Sequence, residues 1–224
     1  MQSLLNHVYA AIQGGEPDTR LVRREVAALL TCAARSSETL PGSAVQQHPL
    51  GFLAVRWQLD PVRTLRVHLW RRDFAWAQQP YWPVHDHMFN FRSLVLKGAV
   101  LNKTYEVDPA RTARRRCGLY EVSYDGELST LNPLPGDFVA RVTQSKLQGV
   151  GSTYSLNAGV LHRSSLKSPL AITALATSTG DGVVSAARVV GAAARQRLTF
   201  NRAVPKHAYG PELAEVFARH LLTL

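Results

Sequence analysis

Three histidines stand at positions from which they could bind one metal ion. His85 and His87 flank a single aspartate in a short run of residues typical of a β-strand. Residues two apart in a strand point to the same face about 7 Å apart, so the two imidazoles can converge on one ion. His162 follows a glycine-containing turn and could supply a third ligand from another strand. Three neutral imidazoles suit zinc, copper, iron or nickel, and they leave coordination positions open for water, dioxygen or substrate.

The elements that position these histidines are short strands. Hydrophobic and polar residues alternate from Phe52 onwards, and strand-like runs bounded by Gly, Pro, Asn or Asp continue to about Ser178. This density of short strands predicts an all-β barrel or sandwich. The predicted strands cover residues 52–59, 65–70, 84–91, 93–96, 100–107, 119–124, 138–142, 153–156 and 170–176.

Helical periodicity frames this β region at both ends. Apolar residues recur at helical spacing over residues 3–12 and 18–34, with Asp18 as the predicted cap of the second helix. Near the carboxyl end, Pro211 precedes an apolar stripe that predicts a closing helix. We therefore expect an N-terminal helical extension packed on a barrel, the barrel itself, and a C-terminal segment with the closing helix, over residues 1–50, 51–180 and 181–224 respectively.

The spacing around the histidines resembles the two sequence motifs of the cupin superfamily. The first motif has the order H-x-H, glutamate, glycine, and the second has the order glycine, Pro-x-Gly, histidine, asparagine. Here Phe91, Asn157 and Leu166 replace the glutamate, the proline and the asparagine. The positions that match are His85, His87, Gly98, Gly151, Gly159 and His162. The resemblance covers residues 84–166 and implies an all-β core with a cupin-type jelly-roll β-barrel.

Phe91 is the departure with the clearest chemical meaning. If the predicted strand is continuous, residues 85, 87, 89 and 91 share a face, and a phenyl ring points toward the metal where a typical cupin has a ligand carboxylate. An ion held only by three neutral imidazoles keeps its +2 charge. This charge favours an anionic or chelating substrate that binds the metal directly, with Phe89 and Phe91 as apolar walls.

Within the superfamily, the local sequence is similar to the three-histidine arm of the cysteine dioxygenases, which are iron-dependent thiol dioxygenases. The similar segments are Val84-His85-Asp86-His87, Lys97-Gly98 and Leu161-His162-Arg163. Residues 172–177 lack the histidine and tyrosine of that family. The cysteine that the family carries shortly after the histidine pair is also absent, because this chain has Asn90, Phe91 and Arg92 there, so we do not expect cysteine itself to be the substrate. The resemblance implies a mononuclear non-haem iron oxygenase that holds Fe(II) through the three histidines and acts on a small metal-chelating substrate with dioxygen.

Two other functions stay open. With zinc or nickel in place of iron, the same ligands would suit a cupin isomerase or hydrolase that uses the metal as a Lewis acid. The third hypothesis is a non-catalytic metal-binding sensor or storage barrel. Resemblance of fold does not choose among them, because cupins host many functions.

Further side chains are candidates for contacts with the substrate. Arg56 lies roughly where thiol dioxygenases carry an arginine for the substrate carboxylate, although it alternates with the more apolar face of its strand. Tyr105 and Tyr154 are candidate phenol donors. The alternatives to Arg56 are Arg71, Arg92 and Arg163.

Residues beside these candidates have other expected roles. Asp86 points away from the metal by alternation and is expected to orient an imidazole through its second nitrogen. His68 is expected on the surface or around the site without ligating, and His48 has no partner at ligand spacing. Cys117, near several arginines, is expected to be an unreactive thiol.

The composition limits the partners and the compartment. The chain has 224 residues, with 26 Lys+Arg against 16 Asp+Glu and a formal net charge of +10, which suits an anionic partner. Its densest basic run, Arg114–Arg116, lies in a predicted turn, so we expect no specific nucleic-acid binding. Neither an apolar run of about 20 residues nor a secretory leader is evident, which predicts a soluble cytoplasmic protein without membrane contact. A homodimer stays open.

Overall fold

In a computed structural model, the described part of the chain comprises residues 1–35, 43–73, 79–110, 116–126, 128–180, 184–193, 196–201 and 210–223. Its helices are α1 (Gln2–Gln13), α2 (Thr19–Arg35) and α3 (Gly210–Leu222). Its strands are β1 (Ser43–His48), β2 (Phe52–Gln58), β3 (Arg63–Arg71), β4 (Val84–His85), β5 (Asn90–Lys97), β6 (Val100–Pro109), β7 (Gly118–Asp125), β8 (Leu128–Pro133), β9 (Phe138–Gln148), β10 (Thr153–Leu156), β11 (His162–Leu166), β12 (Leu170–Ser178), β13 (Ala187–Gly191) and β14 (Leu198–Asn201).

The strands pair antiparallel in two sheets. The six-stranded sheet has the order β1-β2-β3-β12-β5-β10, and the eight-stranded sheet has the order β14-β8-β7-β13-β4-β11-β6-β9. This architecture confirms a mostly β chain with flanking helices. The two sheets are compatible with a β-sandwich or jelly roll, and the strands within the described residues do not close into one barrel.

All three helices lie against the six-stranded sheet. Asp18 caps α2 as predicted, because its Oδ1 accepts hydrogen bonds from the backbone N–H groups of Arg20 and Leu21 at 2.9 and 3.1 Å. Glu212 in the first turn of α3 complements the positive end of the helix dipole. The buried helix faces form one hydrophobic core with β2, β3, β5 and β12.

The two faces of the six-stranded sheet therefore have different neighbours. The fully buried Val55, Leu65 and Val67 belong to the face that packs on the helices. Burial of such a side chain stabilises the fold by about 1.5–3 kcal/mol. The alternating face carries Arg66, whose charge adds to burial in lowering the pKa of His87, and His68, whose own pKa is lowered by burial and further by His85 and His162. The polar side of these strands, and not the apolar side, thus faces the histidines.

Residues 84–91 do not form the continuous strand that we predicted. β4 ends at His85 in the eight-stranded sheet, and β5 begins at Asn90 in the six-stranded sheet. The chain crosses from one sheet to the other between them. Strict alternation therefore does not describe this segment, and His85 and Phe91 reach the site from different sheets.

Two expectations concern the surface. Arg114 and Arg115 lie outside the described residues, so the predicted turn is not described, while Arg116 forms an ion pair with Asp137 at 2.8 Å. Of the helices in the described residues, none has the length and apolar character needed to cross a bilayer.

Candidate metal centre

The structure brings His85, His87 and His162 together. Their ring centroids are 4.8 Å apart for the first pair, 4.7 Å for His85 and His162, and 5.0 Å for His87 and His162. One potential ligand atom from each histidine lies within 4.8 Å of the other two. His162 is far from the other two in sequence, so the sheet topology brings it to the pair.

Strand pairing accounts for the meeting of two of the three rings. His85 on β4 and His162 on β11 are direct partners in the antiparallel register, and paired residues of adjacent strands present their side chains on the same face. The backbone carbonyl of His87 accepts a hydrogen bond from the N–H of Gly159 at 2.9 Å. That bond holds the turn before His162 against the segment that contains the histidine pair.

Gly159 must be a glycine in this turn. Its φ is +76°, and a Cβ atom there would lie 2.8 Å from Cγ2 of Val184. A side chain would therefore be strained both by the backbone conformation and by its neighbour.

The backbone orients two of the imidazoles. Nδ1 of His85 lies 3.0 Å from the carbonyl oxygen of Pro83, and Nδ1 of His162 lies 3.1 Å from that of Val160. A carbonyl oxygen only accepts hydrogen bonds, so each Nδ1 carries a proton and donates it. The remaining nitrogen, Nε2, keeps its lone pair and is free to bind a metal.

Burial keeps all three candidate ligands neutral. It lowers the pKa of His85 and His87 and lowers the pKa of His162 to about 3, because a charged imidazole would lose its hydration. Neutral imidazoles do not have to lose a proton before they coordinate a metal. The site is therefore prepared for a cation at neutral pH.

Asp86 does not orient an imidazole, contrary to our expectation. Its side chain is fully buried and forms an ion pair with Arg188, with 2.7 Å between Oδ2 and Nε. The orienting groups are instead the carbonyls of Pro83 and Val160. Within the described residues, the group that could hold a metal ion consists of histidines alone.

Two phenylalanine rings lie beside the imidazoles. Phe89 stacks on His87 with centroids 4.6 Å apart and an interplanar angle of 14°. The buried Phe91 ring lies 5.8 Å from that of His87 and 5.7 Å from that of His162. Apolar rings thus flank the cluster on this side.

Arg66 is a residue near the cluster that the sequence reasoning missed. Its guanidinium carbon lies 4.3 Å from the centroid of the Phe89 ring, a cation–π distance. Burial, with a smaller contribution from the charge of Arg56, lowers the Arg66 pKa to about 10. Its buried Nε has no hydrogen-bond partner in the described structure. The available signal was its alternation with Leu65 and Val67.

The arginines proposed from sequence have various positions and partners in the structure. Arg56 is exposed and donates a hydrogen bond to Gln58, although it is the register partner of Arg66 on the adjacent strand. Arg92 donates to the carbonyl of Gly15. Arg71 forms an ion pair with Asp73, and Arg163 lies opposite Lys103 in the pairing of β11 with β6.

The two tyrosines have different surroundings. Tyr154 packs edge-on against Phe91 at 5.9 Å, and Ser93, Asn102 and Ser164 lie near its phenol. Burial raises the pKa of this phenol. Tyr105 instead contributes its backbone N–H, which donates to the carbonyl of Leu161 at 2.8 Å, next to His162.

His48 and His68 form a second imidazole cluster near the first. Phe52 lies between them, 4.1 Å from the His48 ring and 4.6 Å from the His68 ring. Burial lowers both pKa values, that of His68 to about 3. Cys117 behaves as expected for an unreactive thiol, because burial raises its pKa.

The donor set fits a first-row divalent ion. For three atoms within 4.8 Å of one another, a point between them lies at most about 2.8 Å from each, whereas metal–nitrogen bonds measure about 2.0–2.1 Å. Small rotations of the imidazoles would close this gap. Three neutral imidazoles would also leave the remaining coordination positions to substrate or water.

No protein-family model matches this chain, and no curated protein matches it. Among solved structures, the chain is similar to the crystal structure of hydroquinone 1,2-dioxygenase PnpCD in complex with Cd2+ and 4-hydroxybenzonitrile. The two share 15% sequence identity with a TM-score of 0.29, over 68% of this chain and 72% of that one.

Proposed function

We propose that this chain is a mononuclear non-haem iron oxygenase of the cupin superfamily that acts with dioxygen on a small anionic substrate able to chelate the metal. The observation that carries the proposal is the cluster of His85, His87 and His162, which contains no carboxylate ligand within the described residues. Iron comes from the sequence resemblance to three-histidine iron cupins. Zinc, nickel and copper are the competing ions for the same ligands.

The backbone at the motif glycines supports a cupin-type jelly roll. Gly98, Gly151 and Gly159 have φ values of +71°, +81° and +76°. All three thus adopt the left-handed conformation that favours glycine. Turns of this kind at the three motif positions, between strands of two antiparallel sheets, are consistent with the sequence register.

The side chains around the cluster have separable roles. Bound Fe(II) would supply a chelation point for the substrate and the redox chemistry that dioxygen requires. His85 and His162 present Nε2 because backbone carbonyls hold their Nδ1 protons. Phe89 and Phe91 shield the site from water, and this low-polarity wall strengthens every charge interaction within it.

The charges near the cluster favour an anion. Arg188 neutralises Asp86, so that carboxylate does not offset the charge of a metal ion. Arg66 adds a partly desolvated cation whose Nε lacks a partner in the described structure. We assign binding of the substrate anion to Arg66, with Arg56 as a second, more exposed cation beside it.

We assign structural roles to the two tyrosines, and not the role of phenol donors to the substrate. Tyr154 supports the Phe91 wall through its edge-on contact. Tyr105 anchors the residue before His162 through its backbone N–H. Both roles act on the shape of the site.

Oxygen consumption tests the proposal. The protein is purified without metal, loaded anaerobically with Fe(II), and screened in an oxygen electrode with small amino acids, thiols and 1,3-dicarbonyls. We expect consumption with at least one of these classes, which is lost in His162→Ala and in the zinc-loaded wild type. Iron-loaded protein that consumes no oxygen with any class would contradict the oxygenase proposal and favour Lewis-acid or sensor chemistry.

A further inference from the structure

We infer that Arg188 is a positioning residue for the metal centre, because it ties the segment of His85 and His87 to the turn before His162. The expected effect of Arg188 on metal binding rests on the function proposed above. The positioning role itself is argued from hydrogen bonds alone. The residue comes from β13, which carries none of the three candidate ligands.

Arg188 and Asp86 are joined by three hydrogen bonds. The Arg188 Nε donates to Oδ2 of Asp86 at 2.7 Å, and the Arg188 backbone N–H donates to Oδ1. In return, the backbone N–H of Asp86 donates to the Arg188 carbonyl at 3.0 Å. Asp86 lies between His85 and His87 in sequence, so these bonds fix the backbone that carries both imidazoles.

The other end of the guanidinium reaches the turn before the third ligand. Nη2 of Arg188 donates to the carbonyl oxygen of Gly159 at 2.8 Å. Gly159 in turn donates its N–H to the His87 carbonyl at 2.9 Å. These bonds thus form a closed circuit through Asp86, Arg188, Gly159 and His87. The planar guanidinium sets the distance between the segment of the histidine pair and the turn before His162.

The burial of Asp86 makes this circuit hard to replace. Its carboxylate is 0% exposed, while the Arg188 side chain is 32% exposed. Without Arg188, a buried negative charge would stand between two candidate ligands with no cation to pair with it. The segment would then move toward water or another donor, and the imidazoles would move with it.

The partial exposure of Arg188 permits a specific test. Arg188, Gly159 and Val160 are among the residues that line a surface cavity of about 410 Å³. A free guanidinium ion can therefore enter from solvent when the arginine side chain is removed. It would restore the charge and the fork of N–H donors without restoring the side chain.

The experiment compares the wild-type chain with Arg188→Ala and Arg188→Lys. The control is Arg116→Ala, which removes an arginine from the ion pair with Asp137 at 2.8 Å. Co2+ affinity and the Co2+ absorption spectrum are measured with and without guanidinium chloride below denaturing concentrations. Sodium chloride at equal ionic strength controls for screening. The amide hydrogen exchange of Gly159 is measured in the metal-free proteins.

We expect Arg188→Ala to weaken Co2+ binding by about 10- to 100-fold, the usual effect of losing a group that orients metal ligands. Guanidinium should restore most of the affinity and the wild-type spectrum, and sodium chloride should not. The Co2+ affinity of Arg188→Lys should lie between those of the wild type and Arg188→Ala, because lysine keeps the charge but lacks the fork of N–H donors. Arg116→Ala should bind as the wild type does.

Unchanged Co2+ affinity in Arg188→Ala, or a loss that guanidinium does not restore, would overturn the inference. If the wild type itself binds no Co2+, the proposed function fails, and the exchange of the Gly159 amide then decides the positioning role. Exchange that is faster in Arg188→Ala than in Arg116→Ala would support that role without a metal. Equal exchange rates would refute it.

Discussion

Replacement of Phe91 by glutamate tests whether this position faces the metal. The buried Phe91 ring lies 5.8 Å from the ring of His87 and 5.7 Å from that of His162. A carboxylate in its place would lie within about 6 Å of an ion held between the imidazoles. With an effective dielectric constant of about 20, a single negative charge and a +2 ion attract each other by about 5.5 kcal/mol at that distance.

The cost of burying the carboxylate opposes this attraction. An unpaired buried carboxylate costs several kcal/mol, and its pKa rises as a result. Metal-free Phe91→Glu should therefore unfold more readily than the wild type, and metal should restore more stability to it than to the control Phe91→Gln. We expect the glutamate variant to bind metal at least tenfold more tightly than the glutamine variant. Its turnover should fall, because the carboxylate would occupy a position that the substrate needs.

Calorimetric titration with Zn2+ and denaturant unfolding with and without the ion measure both effects. Glutamate and glutamine have nearly the same size, so their difference reports the charge. Equal Zn2+ affinities would show that position 91 does not face the ion. Full turnover by metal-loaded Phe91→Glu would refute direct chelation of the substrate.

Other predictions follow from the same geometry. Arg66→Met should raise the KM for an anionic substrate at least tenfold without changing metal content, and Arg56→Met should raise it less; equal KM values in an oxygen-electrode assay would contradict the assignment. Burial lowers the His68 pKa to about 3, below the value of about 6.5 in an unfolded chain. Its contribution to stability is thus complete above about pH 6.5 and declines as the pH falls. In denaturant unfolding of the metal-free protein, His68→Gln should reduce the slope below that pH by up to about 1.4 kcal/mol per unit; an unchanged slope would refute this. Gly159→Ala, with φ at +76° and a Cβ 2.8 Å from a methyl group, should lower the free energy of unfolding by about 1–3 kcal/mol. Gly15→Ala, whose Cβ meets nothing within 4 Å, should have a smaller effect; equal losses would contradict the steric argument.

Local sequence signals predicted the elements that depend on local interactions. The helical periods over residues 3–12 and 18–34 correspond to α1 (Gln2–Gln13) and α2 (Thr19–Arg35), and Asp18 caps α2. The H-x-H pair and the third histidine meet because cross-strand register brings distant residues together. The three histidines have a spacing that resembles the cupin motifs, and this resemblance predicted their convergence without knowledge of the strand pairing.

The features that the sequence did not predict depend on interactions between elements that are distant in sequence. The more apolar face of β2 and β3 packs on the helices, and Arg66 lies on the other face, so apolar alternation did not single it out. No local pattern shows which sheet face the helices cover. Similarly, Arg188 reaches Asp86 from β13, a strand that the sequence did not predict. The crossing between sheets after His85 also escaped prediction, because alternation is a property of one continuous strand.

Metal stoichiometry tests the central claim most directly. Wild-type protein, His162→Ala and the exposed-histidine control His220→Ala would be loaded with Fe(II) under anaerobic conditions, desalted and analysed for iron per chain. The three-histidine centre predicts close to one iron per chain in the wild type and in His220→Ala, and a nearly complete loss in a folded His162→Ala. Retention of iron by folded His162→Ala, or a wild type that takes up no iron, would contradict the account.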